Sequence, residues 1–290
     1  MPGVVLTSVP TPFNSDGELD TATARRLVEF SSAATDGLMV AGSTAEFPAL
    51  DDSERLGLIE LALSVAGADR VIAHVGAPDA HRAARLAAAA ERAGARNLAA
   101  VTPFYNAVTP AELRDYYLRI RAAAPSAGLY IYIFPERSGR FVPVDEFASL
   151  ASEVGLAGAK LSGSAYESLA SCVEACPSMR IYAGSDSDLA GVLRAGGAGV
   201  ISARAAAYPE VFMGLASALA RGDAESVASW QAFVDDIVAT GASIGRVKEA
   251  LRLRGFGPVR ARMPVDWPTG EVAARIAALV DRLSVSARAV

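Results

Sequence analysis

The chain has 290 residues, 52% of them hydrophobic and 20% charged, with a net charge of −5 and a mean hydropathy of +0.28. That balance offers no basic field to a nucleic-acid backbone or an anionic membrane surface, and no apolar run reaches the roughly 18 residues that a spanning helix needs. The first positive side chains are Arg25 and Arg26, too late for a secretory n-region, so a soluble, cytoplasmic protein is expected.

In chain order, β-type runs fall at residues 4–9, 38–41, 71–75, 98–102, 129–134, 156–161, 180–183 and 199–202. Between them, segments 21–34, 53–66, 81–93, 111–124 and 144–154 carry apolar residues at the three- and four-residue spacing of amphipathic helices. Strands alternating with helices imply parallel βαβ units, and eight of them suit an α/β fold of the (β/α)8 TIM-barrel type. No Gly-x-Gly-x-x-Gly turn follows the first strand, which weakens a dinucleotide-binding alternative. After residue 223 the strand signal stops. Helical stretches near 224–240, 244–255 and 270–283, with a proline-rich loop at 255–270, read as a C-terminal helical appendage. The expected organisation is a barrel over 1–223 with a helical region, 224–290, packed on it.

In such a barrel, chemistry gathers at the carboxyl ends of the strands. Those ends carry Gly42-Ser43-Thr44-Ala45-Glu46, Thr102-Pro103-Phe104-Tyr105, Tyr132-Ile133-Phe134-Pro135-Glu136-Arg137, Lys160, Gly184-Ser185-Asp186 and Ser202-Ala203-Arg204. Of the 27 basic side chains 25 are arginines; Lys160 and Lys248 are the two lysines. Such a bias reflects genome composition, yet it raises the chance that a surviving lysine does what guanidinium cannot: lose its proton and attack a carbonyl. Lys160 lies in the apolar strand Gly158-Ala159-Lys160-Leu161, where a dry ammonium is costly. A neutral amine there would condense with a ketone to a Schiff base. The alternative is a lysine whose tip snorkels to the barrel mouth or pairs with a carboxylate. Lys248, in Arg246-Val247-Lys248-Glu249-Ala250, reads as structural or superficial and away from any strand end.

Tyr132 belongs to the neighbouring strand and faces inward if it shares a side with Tyr130 and Phe134. Its phenol could pass protons during imine formation, histidine being nearly absent; the alternative is a core tyrosine. Ser43 and Thr44 could offer hydroxyls and backbone N–H groups to a carboxylate, or serve as ordinary helix caps. Cys172 and Cys176, with no histidine nearby, cannot supply the four ligands of a structural zinc site and read as reduced thiols. No metal is expected. With only His74 and His81 and no serine elbow, serine and metal hydrolases also recede.

Taken together, the strand-end motifs resemble the dihydrodipicolinate synthase and N-acetylneuraminate lyase family of pyruvate-dependent class I aldolases, almost from end to end. Thr11-Pro12-Phe13, Gly42 to Glu46, Thr102 to Tyr105, Tyr132 with Pro135, Lys160, Gly184-Ser185-Asp186 and Gly199-Val200-Ile201-Ser202 follow its order and spacing. The resemblance implies a lyase in which Lys160 forms a covalent imine with pyruvate, without a cofactor, and Tyr132 shuttles the proton. It implies that Thr44 links Tyr132 to Tyr105 of an adjacent subunit, that Ser43 and Thr44 hold the pyruvate carboxylate, and that Gly184 and Ile201 position the imine through backbone atoms. A homo-oligomer, dimer or tetramer, follows from the shared tyrosine.

Arg137 matches the arginine that in dihydrodipicolinate synthases binds the carboxylate of aspartate semialdehyde, though it could be a solvated loop arginine. Ala45, Ile133 and Leu161-Ser162 depart from the synthase pattern, and Ser43 together with Tyr182 to Asp186 and Tyr208-Pro209-Glu210 is similar to the 2-keto-3-deoxy sugar acid aldolases and dehydratases. Positions resembling a lysine feedback site hold Asp52, Arg55 and Arg82, which do not match it. The expected activity is that of 4-hydroxy-tetrahydrodipicolinate synthase, with the sugar acid aldolases as the alternative. A barrel that binds a 2-oxo acid without turnover, and a phosphate-sugar barrel using Gly184, Ser185 and Arg204, are readings of other classes.

Overall fold

A computed structural model describes residues 4–286. Eight strands, β1 (Val5–Ser8), β2 (Gly37–Val40), β3 (Val71–His74), β4 (Asn97–Val101), β5 (Gly128–Ile133), β6 (Gly158–Leu161), β7 (Arg180–Ala183) and β8 (Gly199–Ser202), close in sequence order into a parallel barrel. Around it run α1 (Thr21–Ala34), α2 (Asp52–Ala66), α3 (Ala80–Arg92), α4 (Pro110–Ala123), the single turn α5 (Pro135–Ser138), α6 (Val144–Val154), α7 (Leu169–Ala175), α8 (Leu189–Arg194) and α9 (Pro209–Arg221). This is the (β/α)8 architecture, reached from local signals. Asp51 and Thr109 form capping boxes with Glu54 and Glu112 at the starts of α2 and α4, and Pro110 occupies the first turn of α4.

The pleat divides each strand between two cores. On β5, Leu129, Ile131 and Ile133 face the helices and join the large outer cluster. Tyr130 and Tyr132 point into the barrel with Leu6, Met39, Ile72, Val101, Tyr182 and Ile201. The register sets Tyr132 beside Lys160, and Lys160 beside Tyr182. Three consecutive strands thus present an amine between two phenols.

Most expected boundaries agree to within a residue or two, and the exceptions have local causes. Strand six was expected from residue 156 but starts at Gly158, because Gly155 turns left-handed (φ 69°) and the Leu156 N–H closes α6 onto Ala151 O (2.9 Å). The expected helix 244–255 ends as α11 (Ile244–Leu251) and runs into a wide π turn over 252–256, which Gly255 terminates at φ 87°.

The trailing helices α10 (Ala224–Val238), α11 and α12 (Gly270–Ser286) do not build a core of their own. Phe233, Ile237, Val247, Leu251, Ile276 and Leu279 join the same buried cluster as Phe212 and Leu215 of α9. Gly214 of α9 lets the indole of Trp230 close against its backbone, where any Cβ would overlap the ring. Between α11 and α12 the chain returns to the strand ends: Phe13 and Arg260 exchange both backbone hydrogen bonds (3.2 and 3.1 Å). Among the described residues no helix is long and apolar enough to cross a membrane.

Candidate active site

Lys160 reaches up inside the barrel and is 6% exposed. Its Nζ lies 3.8 Å from Met39 Sδ on β2 and 4.6 Å from the centroid of the Tyr132 ring. Among the described residues no carboxylate forms an ion pair with it, and neither alternative of a snorkelling or a salt-bridged lysine describes it. A thioether and an aromatic face supply no opposite charge, so the amine is not tied up in an ion pair.

Tyr132 is buried, and its hydroxyl stands 3.4 Å from Ser43 Oγ. Thr44, also buried, is the next residue of the same turn. That turn is held by Ala45 N–H to Gly42 O and Glu46 N–H to Ser43 O (3.0 Å each), and both its ends, Ala41 (φ 54°) and Glu46 (φ 57°), are left-handed without being glycine. Among the described residues the Ser43 and Thr44 N–H groups have no acceptor. Two N–H groups and two hydroxyls in one turn are chemically suited to hold a carboxylate.

Gly184 and Ile201 lie on the opposite wall, on the strands after Lys160. Gly184 donates to Leu161 O (2.6 Å), and a Cβ on it would overlap Ser162 Oγ and stand 3.2 Å from Lys160 Cε. Ile201 is an inward residue of β8. Ser162, 3% exposed and next on the inward face above Lys160, adds a hydroxyl. Arg137 is exposed at the rim: its guanidinium lies over Phe134 (5.8 Å), whose ring packs at 6.1 Å from that of Tyr132. Among the described residues it forms no ion pair within 4 Å, though its charge acts on the neighbouring Glu136 carboxylate.

Two expected members do not join this cluster in the same way. Tyr105 is 95% exposed with φ 84°, and the structure does not bring it to Tyr132 within one chain. Arg204 is committed to Asp186 and to Gly241 O (3.2 Å), so the phosphate-sugar reading loses its free cation. At the positions resembling a lysine feedback site, Asp52 pairs with Arg82 (2.7 Å) and Arg85 (3.5 Å), while Arg55 is 1% exposed. Cys172 and Cys176 are both free thiols. Among the described residues no three His, Cys, Asp or Glu side chains group as metal ligands.

Sequence reasoning missed the supports behind the turn. His74, wholly buried, accepts the Val101 N–H at Nε2 (3.2 Å), which leaves the ring proton on Nδ1 facing Ala41 O (3.0 Å); Arg55 Nη2, itself only a donor, stands 3.3 Å from that nitrogen and makes no hydrogen bond to it. This assigns a neutral Nδ1–H tautomer from the bonding pattern. Its ring contacts those of Phe47 (4.6 Å) and Tyr132 (6.2 Å, edge-on). Arg55 closes the network by donating to His74 O (2.8 Å) and Gly76 O (3.0 Å); burial pulls its pKa down to about 10, still a cation at neutral pH. Burial, reinforced by the Arg55 charge, holds the His74 pKa well below 6.5.

Lys248 also corrects the expectation made for it. It is structural but neither superficial nor far from the strand ends: its side chain is fully buried and its ammonium pairs with Glu46, at the end of the turn after β2. A distance of 202 residues along the chain hid that contact.

The family model of the dihydrodipicolinate synthetase family matches residues 1–282. A DapA-like lyase of Halobacterium salinarum is 36% identical over 267 residues, covering 89% of this chain and 86% of its own. A 4-hydroxy-tetrahydrodipicolinate synthase 2 of Halalkalibacterium halodurans is 30% identical over 290 residues, covering 98% of this chain and 99% of its own. Among solved structures, YagE of E. coli K12, a prophage protein of the dihydrodipicolinic acid synthase family in complex with pyruvate, superposes with a TM-score of 0.87. It is 25% identical, over 97% of this chain and 98% of its own.

Proposed function

The chain belongs to the dihydrodipicolinate synthetase family and is a class I lyase, and from that premise we propose that it joins pyruvate to an aldehyde, or reverses that reaction, through an imine on Lys160. The observation that carries the reading is the buried, carboxylate-free amine of Lys160 against the ring of Tyr132, whose hydroxyl reaches Ser43 in the turn with the unused Ser43 and Thr44 N–H groups. Turnover with an aldehyde, beyond imine trapping, separates this reading from a barrel that binds a 2-oxo acid without reaction.

The neutral amine adds to the keto carbon, the carbonyl electron pair moves to oxygen, and water leaves once that oxygen is protonated. Tyr132, whose phenol lies against Ser43, moves those protons. Thr44 carries them onward to Tyr105 of a neighbouring subunit in a homo-oligomer; the near-complete exposure and left-handed backbone of Tyr105 suit a side chain presented outward. Ser43 and Thr44 hold the carboxylate, and Gly184 and Ile201 leave room for the imine. Loss of a proton from the pyruvate methyl group gives the enamine, whose carbon attacks the aldehyde; no cofactor enters, because the protonated imine is the electron sink.

For the second substrate we favour aspartate semialdehyde, as in 4-hydroxy-tetrahydrodipicolinate synthase, with the exposed Arg137 at the rim receiving its carboxylate. One observation favours the 2-keto-3-deoxy sugar acids instead: Ser162, a buried hydroxyl above Lys160, suits a polyhydroxylated chain. Turnover with pyruvate across a panel of aldehydes tests the choice. Aspartate semialdehyde should be preferred, and Arg137→Ala should raise its KM selectively; preference for glyceraldehyde-type acceptors would overturn the synthase reading.

A further inference from the structure

Glu46 ends the Ser43-Thr44 turn, fully buried. One carboxylate oxygen, Oε1, pairs with the Lys248 ammonium, and the other, Oε2, accepts the N–H groups of Arg262 (2.9 Å) and Met263 (2.7 Å). The remaining protons of the ammonium go to Thr11 O and Arg260 O, 2.7 Å each. All three ammonium protons are thus used. The carboxylate has three donors, which is what a pair removed from water requires. The acceptors belong to three separate stretches of chain: the exit of β1, the turn after β2, and the segment between α11 and α12. Arg262 repeats the link, with a two-pronged bond to Glu54 (2.8 Å each) and a third to Ala49 O (2.7 Å).

A guanidinium presents its N–H groups in one plane, whereas these acceptors surround a point. That is why lysine persists here in a chain that otherwise uses arginine. We propose that the Glu46–Lys248 pair is a positioning device for the carboxylate cradle, fixing the left-handed Glu46 so that the Ser43 and Thr44 N–H groups face the Lys160 amine. The C-terminal region is thereby part of the active-site scaffold. This rests on the reading of that turn as the holder of the pyruvate carboxylate. Lys160 and Tyr132 belong to β6 and β5, which the pair does not touch, so loosening it weakens pyruvate binding and spares the reactivity of the amine.

The full-length protein is titrated with pyruvate, reduced with borohydride and scored by intact mass, with thermal unfolding followed in parallel. Lys248→Arg and Glu46→Gln are compared with Arg254→Ala, which removes a C-terminal brace to Glu210 and Ala207 O remote from the turn. For the first two, half-saturating pyruvate rises by about tenfold while the trapped fraction at saturation stays within about twofold; Arg254→Ala leaves both unchanged. Unchanged half-saturation in folded Lys248→Arg and Glu46→Gln overturns the proposal, as does an equal shift in all three variants. Should both variants fail to fold, Glu46→Asp, which keeps the charge but shortens its reach to Lys248, is expected to show a rise of about threefold, and no rise overturns the proposal. Absence of trapping at Lys160 in the unmodified protein overturns instead the reading of the site, and this inference with it.

Discussion

Protonation of His74 is the term in this fold whose pH dependence can be worked most directly. In the folded chain the ring is neutral, its pKa held well below 6.5 first by burial and then by the neighbouring Arg55 charge. In the unfolded chain an ordinary imidazole takes up a proton near 6.5. The unfolded state therefore binds more protons as the pH falls, so stability is full above that value and is lost as pH drops below it. Integrated from pH 7.5 to 5.5, one such group removes about 1.4 kcal/mol. The carboxylates Asp20, Asp51 and Asp223, held low by the hydrogen bonds of their helix caps, and Glu54, held low by Arg262, give up their contribution only at lower pH and leave this window to histidine. Urea unfolding at the two pH values would be compared among the unmodified protein, His74→Gln and His81→Asn, the latter replacing an exposed histidine. The drop should vanish in His74→Gln, which is less stable at both pH values, and persist in His81→Asn. An equal drop in His74→Gln would refute the assignment of a buried neutral ring.

Tyr132→Phe keeps the ring among Lys160, His74 and Phe134 and removes only the hydroxyl, so turnover should fall by about 100-fold or more with the unfolding temperature little changed; a loss under tenfold would remove it from the proton path. Gly184→Ala drives a methyl group into Ser162 and against Lys160, and kcat/KM should fall by about 100-fold, as expected for misplaced reacting groups. Normal activity in that variant would mean that the wall opposite the turn is not part of the site. Added L-lysine should not inhibit through the region of Asp52, Arg55 and Arg82, because its ammonium would meet an excess of arginine there; potent inhibition abolished by Arg82→Ala would contradict this.

The barrel was legible because its signals are local. Alternation of residues such as Tyr130, Ile131 and Tyr132 is written in consecutive positions, and it correctly turned both tyrosines inward. Lys160 could be singled out because an amine in an apolar strand is anomalous without reference to any other residue. What escaped is long-range. Glu46 reads as one letter of a loop motif and Lys248 as a helix-surface lysine until folding brings them together. His74 carries no sign in the sequence that Ala41 and Val101 will fix its tautomer. The π turn that follows α11, with the left-handed Gly255 inside it, is likewise nothing that a helical periodicity registers.

The central claim is that Lys160 alone supplies the nucleophile. The protein is incubated with pyruvate, reduced with borohydride, digested and mapped by mass spectrometry. A single reduced adduct on the peptide containing Lys160 is the predicted result, absent from Lys160→Met and without counterpart at Lys248, whose three protons are all engaged. An adduct at Lys248 or at any other amine, or no adduct at all, would contradict the account.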